Sequence, residues 1–136
     1  MTAFEDLAVP GPTTTPLSEP FWQAAEEGRL LIQRCIECGY AVFYPRPLCT
    51  NCWADALCWE EASGKGKLKS FSKILKPGHP GWASIAPFFV GLVQLTEGPT
   101  MLSTVLTGGR EPSIDAPLSL TPTNVGGRIL PCFSLT

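Results

Sequence analysis

Cys35-Ile36-Glu37-Cys38-Gly39-Tyr40 and Cys49-Thr50-Asn51-Cys52 are two Cys-x-x-Cys turns with ten residues between them. A tight turn brings its two thiols within reach of one ion, and Gly39 relieves the backbone just past the second. Two such turns facing each other supply the four ligands of a tetrahedral Zn²⁺ site, with Zn–S distances of about 2.3 Å. Val42–Arg46 then reads as the strand linking the turns, with Pro45 and Pro47 stiffening the approach to the second. A redox pair needs one Cys-x-x-Cys rather than two matched ones. Disulfides need an oxidising compartment, and the acidic opening Met1-Thr2-Ala3-Phe4-Glu5-Asp6 lacks the regions of an export signal. Iron in a rubredoxin-like site uses the same ligands, and against it stands Trp53, bulky where glycine is expected. Zinc is the expected ion, and four protein ligands leave it no open position, so its role is structural.

Outward from the cysteines the chain reads as β-structure. Ahead of them, Arg29–Arg34 has a strand pattern. It follows a short helix that Ser18 can cap, with Pro20 in its first turn and Gly28 at its end. Phe21, Trp22 and Ala25 give that helix an apolar stripe, and so short a helix is stable only when docked. Residues 1–17, with Pro10, Gly11, Pro12 and Pro16, read as an extended arm without a core of its own. After the cysteines, strand-like runs recur at Leu57–Glu61, Gly66–Lys76, Phe88–Thr96, Met101–Leu106, Leu118–Leu120 and Arg128–Leu135, separated by Gly- and Pro-rich turns. Five or six short strands behind a metal module suggest a small barrel or sandwich.

Composition narrows the function. The 136 residues carry 10 basic and 12 acidic side chains, a formal net charge of −2, and 14 Pro and 13 Gly exclude a helical bundle. A net acidic chain argues against electrostatically driven nucleic-acid binding. No apolar run approaches a membrane span, and the reading is a soluble, cytoplasmic protein. Residues 88–136 hold only five charges, Glu97, Arg110, Glu111, Asp115 and Arg128. So charge-poor a surface points to a permanent partner or self-association. With one histidine, His79, and no nucleophile elbow, phosphate-cradling loop or paired carboxylates, a stand-alone enzyme is not expected. Cys58 and Cys132 sit in apolar strand contexts and read as small hydrophobes, and Trp53 and Trp59 as packing beside the metal module.

Read in order, these residues resemble a known family. Pro20-Phe21-Trp22 and Gly28-Arg29-Leu30 lead into Gln33-Arg34-Cys35. Phe43-Tyr44-Pro45-Arg46 and Cys49-x-x-Cys52 follow, then Trp59 ahead of Ser63-Gly64-Lys65-Gly66, and finally Leu130-Pro131-Cys132-Phe133. From about Pro20 to Phe133 the chain resembles the DUF35 family, which implies a mainly β chain with an N-terminal helix and a rubredoxin-like zinc ribbon followed by an OB-fold β-barrel. The expected divisions are an arm over 1–17, a docking helix over 18–28, the ribbon over 29–56 and the barrel over 57–136. Thr50, where proline is common, and Cys132, in place of an aliphatic residue, depart from the pattern without removing a ligand.

The resemblance also implies a role. Such chains accompany thiolase-superfamily enzymes (acyl-CoA thiolases, acyltransferases, and steroid side-chain aldolases of thiolase fold), in a context of lipid or aromatic degradation. The partner carries the carbon–carbon chemistry on a coenzyme A thioester, while the accessory chain holds the complex, a heterotetramer or larger, and helps shape the acyl-CoA site. Steroid-derived, aromatic and short-chain acyl groups all fit this expectation.

Three groups of residues are candidates for that role besides the metal set Cys35, Cys38, Cys49 and Cys52. Lys65, Lys67 and Lys69 alternate on a strand and so share one face. They could meet the phosphates of coenzyme A, or simply solubilise a sheet edge. The long connection from Pro77 to Pro87 places Trp82 and Ile85 as contacts to a partner or an acyl tunnel. Trp22 could do the same, though docking of its own helix explains it more simply. The competing reading is a zinc-ribbon/OB module that binds single-stranded nucleic acid. Phe71 alone flanks the lysines as a stacking surface, which counts against it.

Overall fold

The computed structural model describes residues 4–136. The three residues Met1–Ala3, where the arm begins, lie outside the described residues. A 3₁₀ turn at Phe4–Asp6 opens the chain, and helix α1 spans Glu19–Glu26. The strands are β1 (Leu31–Cys35), β2 (Ala41–Val42), β3 (Leu57–Glu61), β4 (Lys65–Ile74), β5 (Phe88–Leu95), β6 (Thr100–Leu106), β7 (Pro117–Val125) and β8 (Arg128–Leu135). A second 3₁₀ segment, Pro80–Ile85, lies in the β4–β5 connection. The chain is mainly β, with one α-helix among the described residues.

Two sheets form. The smaller has the order β2-β1-β3, and the larger closes as β4-β5-β6-β8-β7. A five-stranded, partly open Greek-key barrel is the OB pattern. All its neighbours are antiparallel except β6 and β8, which pair in parallel at Val105↔Phe133 and Leu106↔Ser134 alone. Carrying that register back two residues sets Ser103 opposite Pro131, whose nitrogen has no hydrogen to donate. There the ladder stops, and Ser103 Oγ donates instead to the Pro131 carbonyl at 3.0 Å. The barrel is therefore closed by two residue pairs at one end of the β6–β8 seam and left without ladder pairing along the rest.

The core runs across both sheets. Leu30, Ile32, Leu68, Val93, Leu118 and Phe133 are all 1% exposed or less and belong to one cluster, which Phe21 of α1 joins. The ribbon sheet is thus fastened to the barrel by β1 and α1, and a second small cluster surrounds Cys35, Val42 and Cys49. Buried Gln33 satisfies both ends of its amide on Arg46, donating to its carbonyl at 3.0 Å and accepting from its N–H at 2.7 Å.

Several elements differ from what the sequence suggests. Strand Leu57–Glu61, counted there with the barrel, pairs along its whole length with β1 in the ribbon sheet. The linking strand expected over Val42–Arg46 ends at Val42, because the chain turns away through Phe43 and Tyr44 toward Pro45. The run at Leu118–Leu120 extends to Val125, since Pro122 lies opposite Pro131, whose carbonyl accepts from Ser103 Oγ and so needs no backbone donor from Pro122. Ser18 occupies the position before α1, but its hydroxyl bonds Thr15 rather than the helix amides. The arm packs on the barrel: Leu7 is buried, the Gly126 N–H donates to the Phe4 carbonyl at 3.0 Å, and Arg128 reaches the Pro12 carbonyl at 3.1 Å.

Candidate metal centre and apolar groove

The two cysteine turns are built alike. In the first, the Cys35 N–H donates to the Tyr40 carbonyl (2.9 Å) and the Gly39 N–H to the Cys35 carbonyl (2.8 Å). In the second, the Cys49 N–H donates to Ala54 (3.1 Å) and the Trp53 N–H to Cys49 (2.9 Å). The equivalent residues Gly39 and Trp53 both take a left-handed conformation, with φ of 76° and 64°. Trp53 thus occupies a glycine-type position without closing the cluster, its indole turned to solvent at 73% exposure. Its bulk does not separate zinc from iron.

The turns bring all four Sγ atoms within 4.8 Å of one another, with Cys35–Cys52 and Cys38–Cys49 each at 3.6 Å. Tetrahedral Zn–S bonds of ~2.3 Å require S···S separations of about 3.8 Å, so the set fits a zinc ion. Asn51 supports it, sending its backbone N–H to Cys49 Sγ (3.4 Å) and its side-chain amide to Cys38 Sγ (3.6 Å). The Asn51 amide, helped by the Tyr40 backbone, holds the Cys38 thiol down at about 6. At Cys52 the Ala54 backbone amide pulls the same way. Burial and the three neighbouring sulfurs outweigh it and push that thiol up to about 12. The arrangement favours a first thiolate at Cys38 and resists a second at Cys52, which is the repulsion a divalent cation removes.

Along the open seam between β6 and β8 lies a groove of about 500 Å³. Trp22 comes from α1, Phe43 and Tyr44 from the ribbon, Trp82 from the β4–β5 connection, Leu102 from β6 and Cys132 from β8. Among the described residues no charged side chain lines it. The Leu102 N–H, which has no strand partner here, donates to Tyr44 Oη at 3.0 Å. Burial raises the Cys132 thiol, against a smaller opposing effect of Thr123.

Trp22 and Trp82, sixty residues apart in sequence, therefore line one groove. Ile85 does not join them. It faces a wider opening of about 970 Å³ together with Phe4 and Phe89, while Trp82 packs on Phe88 with ring centroids 5.4 Å apart. Lys65, Lys67 and Lys69 are exposed on β4, alternating with Gly66 and buried Leu68. Two of them are engaged: Lys69 pairs with Asp115 at 3.1 Å, and Lys65 Nζ donates to the Ser119 hydroxyl at 3.1 Å. Sequence reasoning missed Tyr44 and Leu102 as site residues. The signal was Pro131, which marks where β8 cannot pair with its neighbour.

Comparison with known proteins matches this architecture in two parts. Residues 22–57 fit the family described as the ChsH2 rubredoxin-like zinc ribbon domain, and residues 59–121 fit the ChsH2 C-terminal OB-fold domain. The solved structure described as "Ltp2-ChsH2(DUF35) aldolase" is 30% identical and superposes with a TM-score of 0.80, covering 92% of this chain and 98% of that one. The chain belongs to the DUF35 family. Two curated relatives of this DUF35 chain are similar over part of their lengths. A Thermomonospora curvata protein named "Probable enoyl-CoA hydratase alpha subunit" is 40% identical over 65% of this chain and 27% of its own. A Pyrococcus furiosus protein named "DUF35 domain-containing scaffold protein" is 32% identical over 61% of this chain and 60% of its own. The DUF35 chain thus spans about a quarter of the first relative and less than two-thirds of the second. No helix among its described residues is long and apolar enough to cross a membrane.

Proposed function

We propose that this chain is a non-catalytic accessory subunit of a thiolase-superfamily complex acting on acyl-CoA in the cytoplasm. In this reading it holds the complex together as a heterotetramer or larger, helps shape the acyl-CoA site, and leaves the carbon–carbon chemistry to its partner. The observation that carries the reading is its likeness, over nearly the whole of both chains, to a chain of the structure described as "Ltp2-ChsH2(DUF35) aldolase", whose description couples a second name to the DUF35 one. Cys35, Cys38, Cys49 and Cys52 hold one zinc ion, whose coordination by four thiolates is complete without substrate. Exposed apolar side chains fit burial against a partner: Ile36, Tyr40 and Trp53 on the ribbon, and Leu75, Leu92 and Ile114 on the barrel.

Lys65, Lys67 and Lys69 are assigned to the phosphates of coenzyme A, and Trp22, Trp82 and Ile85 to the partner or the acyl tunnel. Lys67 is the best placed of the lysines, since its neighbours are partly engaged by Ser119 and Asp115. The test is capture of the tagged chain from its native host, followed by intact-mass stoichiometry. A thiolase-fold protein at one-to-one ratio is expected, and a monomer without a stoichiometric companion would overturn the proposal. In the captured complex, replacing Lys65, Lys67 and Lys69 by Ser should raise KM for acyl-CoA severalfold and spare kcat. An unchanged KM removes the lysines from the site.

A further inference from the structure

From the groove along the β6–β8 seam we infer a binding site, on this chain itself, for an uncharged and largely apolar ligand that bears one hydrogen-bond acceptor. The inference stands on the lining of the groove and not on the identity of any partner. At about 500 Å³ the groove is in the size range of small-molecule sites, which are typically apolar and aromatic with a few placed polar groups. Its walls come from the arm, α1, the ribbon, the β4–β5 connection and the barrel, so folding of this one chain assembles it.

The chemistry of the ligand follows from the lining. With no charged side chain among the described residues there, an ionised group would lose its hydration without gaining a partner. Trp22, Phe43 and Trp82 line it with aromatic surface that suits an apolar body. The polar contact is Tyr44. Its oxygen accepts the Leu102 N–H at 3.0 Å, and among the described residues no acceptor takes its own hydroxyl proton. That proton can be donated to a carbonyl or hydroxyl oxygen of the ligand. The seam exists because Pro131 ends the β6–β8 ladder, so one proline in the sequence opens the site.

The test is isothermal titration calorimetry of the zinc-loaded full chain with two uncharged ketones, linear 2-undecanone and aromatic 2-acetylnaphthalene, and with undecanoate as the charged control. One-site binding of at least one ketone is expected, with undecanoate at least tenfold weaker at pH 7.5. Leu102 is 58% exposed, so its side chain can be changed without disturbing the core. Leu102→Asp should weaken ketone binding at least tenfold, Leu102→Trp should block it by filling the groove, and Tyr44→Phe should weaken it about fivefold. Zinc content and melting temperature report whether each variant is folded. Whichever ketone binds more tightly tells whether a chain or a ring system is the natural occupant. The absence of saturable binding by both ketones, or binding undiminished in folded Leu102→Asp and Leu102→Trp, would overturn the inference. Either result leaves the partner-capture experiment standing, because no partner takes part.

Discussion

Gly39 and Trp53 occupy the same place in two equivalent turns, and only one of them suits it. A non-glycine residue in the left-handed region costs about 1–2 kcal/mol, and nothing lies within 4 Å of a Cβ built on Gly39. Gly39→Ala is therefore a pure backbone change and should destabilise the zinc-loaded chain by about 1 kcal/mol. Trp53→Gly should stabilise it by a similar amount, since the exposed indole has little packing to lose. Urea midpoints measure both. A loss of stability in Trp53→Gly would mean that the indole rests on the ribbon after all. Glycine was the sequence expectation at this position, and the backbone does adopt a glycine conformation there. What the sequence did not convey is that tryptophan would adopt it too.

At the scale of the element, the barrel depends on where a side chain is missing. Gly91 sits buried in β5, and a Cβ there would come within 2.7 Å of Leu68 Cδ1 and 2.9 Å of the Ser70 carbonyl oxygen. Gly91→Ala should cost about 1–3 kcal/mol through overpacking, read as a lower denaturation midpoint at unchanged slope. Strands such as β5 and β6 were legible from sequence because an apolar run and the Gly and Pro turns that bound it are local signals. Two others depend on a partner. Leu57–Glu61 has no local mark that assigns it to β1 rather than to the barrel, and Pro122 hides a strand because its tolerance depends on Pro131 opposite. The metal cluster was legible because its spacing is its geometry. The groove was not, since it gathers side chains from segments as distant as Trp22 and Cys132.

At the scale of the molecule, ribbon and barrel share one core. Leu30 and Ile32, on or beside β1, are in the same cluster as Leu68 and Phe133 of the barrel, with Phe21 of α1 closing it. Neither sheet can lose its structure without exposing the apolar face of the other. The zinc-loaded chain is expected to melt in a single calorimetric transition, with calorimetric and van't Hoff enthalpies in agreement. Two resolved transitions would contradict the shared core. Removing zinc should lower the melting temperature of the whole chain rather than abolish a separate early step, because the strand that carries Cys35 also carries Ile32 into the barrel core.

The six cysteines occupy three different surroundings, and this gives the chain a built-in occupancy gauge. Cys58 is exposed on β3 outside the cluster, whereas Cys132 is buried and its thiol is pushed up by that burial. A thiol reacts with an alkylating or aromatic disulfide reagent as its accessible thiolate, and a thiolate bound to metal is withheld. With zinc in place, one fast equivalent should appear, from Cys58. As the metal is drawn off, the cluster thiols become reactive, led by Cys38, the one held lowest. Counting fast-reacting thiols per chain thus measures metal content directly. A maleimide dye added to the zinc-loaded protein should mark the back of the ribbon at Cys58 and nothing else, a ready-made attachment point for distance measurements.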